Sequence, residues 1–132
     1  IDWAGHANDA ATNFREVIDM DEAIKVAYEF YSQHPDETLI VVTADHETGG
    51  VSLGGAYGDV NWDVIEQSWI ENNMSNNLSR EDNAALNAKA SIGWTTFNHT
   101  GGAVPVYAIG KGAEKFAGRI DNTDIKGKIL GE

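Results

Sequence analysis

Residues 38–44, read as TLIVVTA, form a near-continuous run of β-branched and aliphatic side chains that stops at Asp45, His46, Glu47, Thr48, Gly49 and Gly50. A run of that length and composition fits a strand buried on both faces. Upstream, Ala11, Phe14, Val17, Ile18, Ala23, Ile24, Ala27, Phe30 and Tyr31 recur at three- and four-residue intervals, the spacing of helix. The phase breaks near Asp19, where Glu22 three residues on completes a capping pattern, so the spacing predicts two helices, about 9–18 and 20–33. Pro35 ends the second. Helix followed by buried strand predicts a parallel-strand unit of an α/β fold. Asp45 and His46 then stand at the strand's carboxyl end, the edge at which open α/β sheets bind ligands.

Residues 54–98 are polar and Asn-rich and read as a surface excursion. Trp62, Ile65 and Trp69 sit at helical spacing within it, and Ser79 with Asp82 forms a capping box for a second helix. Core packing is the favoured reading of Trp62, Trp69 and Trp94, with an interface role as the alternative. Residues 103–109 return to strand character, with Pro105 arguing for an edge strand or a bulge. Short helices are expected at 110–116 and 123–130. At 132 residues and 42% hydrophobic content the chain suffices for one folding unit, 1–132. Its opening, IDWAGH, has no initiator Met and reads as the end of a strand or the loop after it, so a portion of a longer chain is expected.

The formal charge is −12, from 21 acidic and 9 basic residues, with no Lys/Arg cluster of the kind that tracks a phosphate backbone. Nucleic acid is therefore not an expected partner. No stretch approaches the roughly 20 apolar residues of a membrane helix, so no membrane partner is expected either. With no Cys, any metal must be held by nitrogen and oxygen. An anionic substrate would need local cations to reverse the field of this acidic chain, and metal ions would do so.

Asp2 and His6 are four apart, Asp45 and His46 are adjacent, and His99 precedes Thr100, Gly101 and Gly102 before the last strand. Two Asp-His pairs and a further His beside strand ends make five candidate ligands for two divalent metals. On spacing alone, three separate caps remain an equal reading. Adjacent side chains on a strand point opposite ways, so Asp45 and His46 share a site only if the strand has already ended. His34, at a helix end just before Pro35, reads as structural, placed to meet the helix dipole.

The strings IDWAGHANDA, TLIVVTADHETGG and HTGGAVPVYAIG resemble, in order, the three C-terminal motifs of bacterial alkaline phosphatases, and the resemblance covers essentially the whole chain. It implies part of an α/β sheet flanked by helices, with 54–98 in the family's variable region, which can cover the site entrance or join a dimer. It further implies a periplasmic or secreted homodimer that hydrolyses phosphate monoesters with two zinc ions and a magnesium through a phosphoserine. Carried over by residue, Asp2, His6 and His99 would ligate one zinc, and Asp45 and His46 would contribute to the other. Trp3 matches a variable position near the phosphate pocket, with packing beside the site as the equal alternative.

The departures are as specific. The nucleophilic Ser, the phosphate-clamping Arg and the Asp that bridges zinc to magnesium belong to the family's N-terminal part, and no segment here matches them. The magnesium-binding Glu would fall upstream of Ile1. Ser52, Ser68, Ser75, Ser79 and Ser91 are present, but none lies in a nucleophile-like motif. The resemblance therefore implies a phosphatase portion that needs the rest of the enzyme. A non-catalytic metal-binding fragment, or part of a two-metal phosphodiesterase, sulfatase or mutase, are the alternatives.

Overall fold

A computed structural model describes residues 1–55, 58–72 and 78–131; Ser75 lies outside the described residues. The helices are α1 (Asp2–Ala7), α2 (Ala10–Gln33), α3 (Trp62–Glu71), α4 (Arg80–Ala90) and α5 (Ile125–Leu130). The strands are β1 (Leu39–Val42), β2 (Glu47–Thr48), β3 (Ser52–Leu53), β4 (Ile92–Gly93), β5 (His99–Thr100) and β6 (Tyr107–Gly110). Short 3₁₀ turns cover Ala113–Phe116 and Asn122–Asp124. This mixture of helix and sheet is an α/β fold. No described helix is long and apolar enough to cross a membrane. The chain divides into two compact units, Ile1–Met20 with His46–Gly102 and Asp21–Asp45 with Ala103–Glu132.

Where two helices are expected between 9 and 33, one continuous helix runs through Asp19. Nothing between Ala10 and Gln33 breaks it: the segment has no Gly or Pro, and Ala, Glu, Met and Lys around Asp19 favour helix. The cap that operates is Asp9. Its carboxylate accepts from the Thr12 amide (3.0 Å) and hydroxyl (2.8 Å), so the acid is buried with its charge satisfied at the helix start. The helix stops two residues before Pro35. His34 follows it, its ring 4.7 Å from that of Phe30.

In the second unit β1 pairs with β6 antiparallel, Leu39 opposite Gly110 and Val42 opposite Tyr107. The expected parallel, doubly buried strand is thus corrected: all four β1 residues are only half-buried. Two strands shield one another's edges but not both faces, and Phe116 is the sole fully buried hydrophobic residue among the described residues of this unit. Pro105 falls before β6 and accepts a hydrogen bond from the Thr43 hydroxyl (3.1 Å), which spares the ladder a missing donor.

The first unit has its core where α2 begins. Ala10 and Ala11 pack with Ile65 of α3, Ala90 of α4 and Ile92 of β4, and Trp69, Trp94 and Phe14 close around them. Trp62 meets Phe14 edge-on at 5.3 Å. The stretch 54–98 therefore supplies three of the five buried core residues and is no mere surface excursion. Its polar composition hid this because Asn83 and Asn87 are themselves buried, Asn87 donating to the Asn8 carbonyl (2.8 Å). The Ser79 cap forms as expected: its Oγ accepts from the Asp82 amide (3.1 Å) and donates to Asp82 Oδ2 (2.7 Å).

The contrast between a working cap and a mid-helix Asp is testable by chemical denaturation. Ser79→Ala is expected to lower stability by about 0.5–2 kcal/mol. Asp19→Ala should leave it within about 0.5 kcal/mol, because no helix starts there. A loss at Asp19 as large as at Ser79 would restore the two-helix reading.

Candidate metal centre

Asp2 and His6, four apart, share one face of α1. That helix packs on β2, and Gly5 permits the approach: a Cβ there would lie 3.1 Å from both the Thr48 methyl and the Thr48 carbonyl oxygen. β2 pairs antiparallel with β5, setting Thr48 opposite His99 and Glu47 opposite Thr100. The turn after β2 needs its glycine, since Gly49 has φ +90° and a Cβ would stand 2.6 Å from the Trp94 ring. The Glu47 carboxylate ties the turn down, accepting from the Gly50 amide (2.9 and 3.1 Å) and from the Thr100 hydroxyl.

These contacts bring four side chains together. His6 Nε2 lies 3.2 Å from His99 Nε2, and Asp2 Oδ1 lies 3.7 Å from the first and 3.9 Å from the second. The His46 and His99 rings stack with centroids 3.5 Å apart. Asp2, His46 and His99 each offer a ligand atom within 4.8 Å of the others. A zinc ion with bonds of about 2.0–2.2 Å in tetrahedral geometry holds its ligand atoms roughly 3.3–3.6 Å apart. The spacings of the Asp2, His6 and His99 donors bracket that range, so this nitrogen and oxygen set fits a divalent metal. The side chains of Asp2, His6 and His99 are 37–50% exposed, which leaves the cluster open to solvent.

Hydrogen bonds aim the ligand atoms. His6 Nδ1 is 2.6 Å from the Phe97 carbonyl oxygen. A carbonyl only accepts, so Nδ1 donates to it and Nε2 is the ring nitrogen turned to the cluster, where it faces His99 Nε2. Thr48 Oγ1 donates to Asp2 Oδ1 (2.6 Å) and lies 3.2 Å from His46 Nδ1. Thr48 and the Phe97 carbonyl are the functional groups that sequence reasoning missed. Thr48 lies inside the quoted ADHETGG string but has no ligand atom of its own kind to draw attention, and a backbone carbonyl leaves no sequence signal at all.

The remaining candidates are placed as follows. Asp45 ends the first segment of the second unit and is solvent-exposed, with its carbonyl accepting from Asn122 Nδ2 (3.3 Å). Trp3 is 84% exposed on α1, so in this structure it packs into no core. With His6, Ala7 and Arg80 it lines an open hollow of about 330 Å³, and the Arg80 guanidinium sits 4.4 Å over the Phe97 ring. Ser79 and Ser91 cap the two ends of α4, Ser68 is buried in α3 and Ser52 begins β3.

The Thr48 hydrogen bond is the largest influence holding the Asp2 carboxyl below the usual carboxylate range, and His6, His46 and His99 add to it. A carboxyl whose folded value is lowered stabilises the fold fully above its unfolded value, and the contribution disappears as pH falls through the folded value. Asp2 is accordingly expected to titrate below the ordinary aspartate range in an NMR pH series, and to move upward in Thr48→Val. Coincident titration of Asp2 in the wild type and in Thr48→Val would count against the hydrogen bond.

The alkaline phosphatase family model matches residues 1–62 and 52–130. Alkaline phosphatase 3 of Bacillus subtilis (strain 168) is 34% identical, in an alignment spanning 98% of this chain and 37% of that protein. The crystal structure of a cold-active alkaline phosphatase from a psychrophilic Shewanella sp. superposes with a TM-score of 0.81 at 30% identity, over 98% of this chain and 42% of that one. A mutant alkaline phosphatase of the Antarctic bacterium TAB5, with Mg bound, gives a TM-score of 0.69 at 31% identity, over 98% of this chain and 32% of that one. The chain thus spans a little over a third of the length of the Bacillus relative. On the matched segments and the shared fold, the chain belongs to the alkaline phosphatase family.

Proposed function

We propose that this chain supplies zinc ligands to a centre that hydrolyses phosphate monoesters in the whole protein. The observation that carries the reading is the convergence of Asp2 Oδ1, His6 Nε2 and His99 Nε2 within 3.2–3.9 Å of one another. In this reading those three hold the first zinc. Asp45 and His46 contribute to the second, and the magnesium ligands lie mostly outside these residues. When bound, the metals supply the positive charge and Lewis acidity that a phosphoryl group requires at its oxygens.

The protein's own part is to aim and to neutralise. His6 is locked by the Phe97 carbonyl with its Nε2 turned inward, and the ionised Asp2 offsets cationic charge in the cluster. The net charge of −12 disfavours an anionic ester everywhere else, so the phosphate is drawn to the one place where cations collect. Arg80, which lines the hollow with Trp3 and His6, adds a fixed cation there. A homodimer and a periplasmic or secreted setting accompany this reading on the strength of the family resemblance alone.

Calorimetric titration with zinc is the direct test. Binding is expected for the wild-type chain, with a loss of about 10-fold or more in His99→Ala, since a first-sphere ligand matters at least as much as the outer-shell groups whose removal costs 10- to 100-fold. Wild-type and His99→Ala chains that bind zinc equally would remove the assignment.

Turnover is a separate measurement. The 132-residue chain with zinc and magnesium is expected to hydrolyse a chromogenic phosphate ester several orders of magnitude more slowly than an enzyme with its nucleophile in place. The described serines serve in caps, a strand and a buried helix face, and none is in a nucleophile-like motif. Adding a separately made N-terminal portion should raise the rate, and His99→Ala should abolish the gain. Robust turnover by the chain alone would mean that another group acts as nucleophile.

A further inference from the structure

Trp3 and Ala7 are four apart on α1 and share a face that adjoins the face of Asp2 and His6. With His6 and Arg80 they line the hollow of about 330 Å³, so one imidazole borders both the hollow and the candidate metal cluster. A lone exposed indole on a surface needs no explanation. This one faces a cation held in place. The Arg80 guanidinium carbon lies 4.4 Å over the Phe97 ring, and the carbonyl of the same Phe97 holds His6. Phe97 thus ties the cation to the histidine that borders the cluster. Arg15 is paired with Glu66 (3.1 Å), whereas among the described residues no carboxylate pairs with Arg80. In a chain of net charge −12, an arginine parked on an aromatic ring keeps its charge available to a ligand.

The two side chains suit one kind of occupant. An indole that is 84% exposed offers a flat surface on which a ring can stack, and a guanidinium attracts both an anion and the face of a π system. Ala7 leaves room beside the indole, and about 330 Å³ stands at the small end of small-molecule sites, the size for a single ring system. We propose that this hollow is the subsite for the alcohol portion of the phosphate ester and that it selects a planar aromatic one, with Trp3 stacking on the ring and Arg80 as the cation beside it. A saturated ring of similar size would fill the same space but offer no flat face to Trp3 and no π face to Arg80. The placement of the phosphoryl group rests on the metal reading above; the preference for an aromatic ring does not.

NMR titrations of the zinc-loaded chain with phenyl phosphate, cyclohexyl phosphate and inorganic phosphate, followed at the backbone amides of His6 and Ala7, give the three dissociation constants. The wild type is expected to bind phenyl phosphate about 2- to 10-fold more tightly than cyclohexyl phosphate, the worth of one aromatic pair. Trp3→Ala should bring that ratio close to one, and Trp3→Phe should restore most of it. Arg80→Ala should weaken phenyl phosphate about 2- to 5-fold, the worth of an exposed cation–π contact. Trp3 and Arg80 are both exposed, so these replacements leave the fold in place to be measured.

Equal affinity for the two esters in the wild type, a preference that survives Trp3→Ala, or undiminished phenyl phosphate binding in Arg80→Ala would each overturn the proposal. Repeating the titrations with a chelator separates it from the metal reading. Zinc-dependent binding of inorganic phosphate with no aromatic preference would uphold the metals and defeat the hollow. A Trp3-dependent aromatic preference, with inorganic phosphate bound no better in zinc than in chelator, would uphold the hollow and defeat the metals.

Discussion

The contact between α1 and β2 at Gly5 and Thr48 is the constraint on which the candidate centre depends. With a Cβ position only 3.1 Å from the facing strand, α1 can lie this close because residue 5 is glycine. The closeness puts Asp2 within a hydrogen bond of Thr48 and brings His6 to the rim of β5. The register of β2 and β5 then determines which residue meets the helix. A shift of one position would turn His99 to the other face, and the Glu47–Thr100 hydrogen bond opposes such a slip.

Around that contact the polar groups are satisfied in a definite order. Phe97 contributes a carbonyl to one histidine, Thr48 a hydroxyl to an acid and a second histidine, and Glu47 a carboxylate to the turn and the paired strand. Each of these groups can give or take only certain protons, so the hydrogen bonds orient the side chains of the candidate centre. Preorganisation of this kind reduces the ordering that binding must otherwise impose.

The first unit builds its core from small and polar residues as much as from large apolar ones. Ala10, Ala11 and Ala90 let α2 and α4 approach one another, and buried Asn87 bonds the carbonyl of Asn8, whose left-handed backbone ends α1. The loop between α1 and α2 is thereby anchored from α4, a helix some 80 residues away in the sequence. The first turns of the chain are held from the middle of it. The second unit relies on an antiparallel pair and a single fully buried phenylalanine, and leaves Val26, Phe30, Tyr107 and Leu130 exposed.

Local chemistry was legible in the sequence. The apolar spacing of 10–33, the β-branched run at 39–42, the Ser79 cap and the Asp2–His6 interval all depend on neighbours within four residues, where backbone geometry fixes who meets whom. The residue types of the candidate centre, two Asp-His pairs and His99, were legible as such, but not which of them meet. The Asp19 capping pattern misled because a cap forms only where the backbone leaves the helix, and nothing around Asp19 makes it do so. Tertiary structure alone decided that β1 runs antiparallel to β6 and that the Asn-rich stretch supplies core. It also decided that His46 joins His99 and Asp2 and that the Thr48 hydroxyl stands between them. Those outcomes turn on contacts between residues tens of positions apart, set by strand register and by the fit of a helix over a glycine, and no periodicity or composition encodes either.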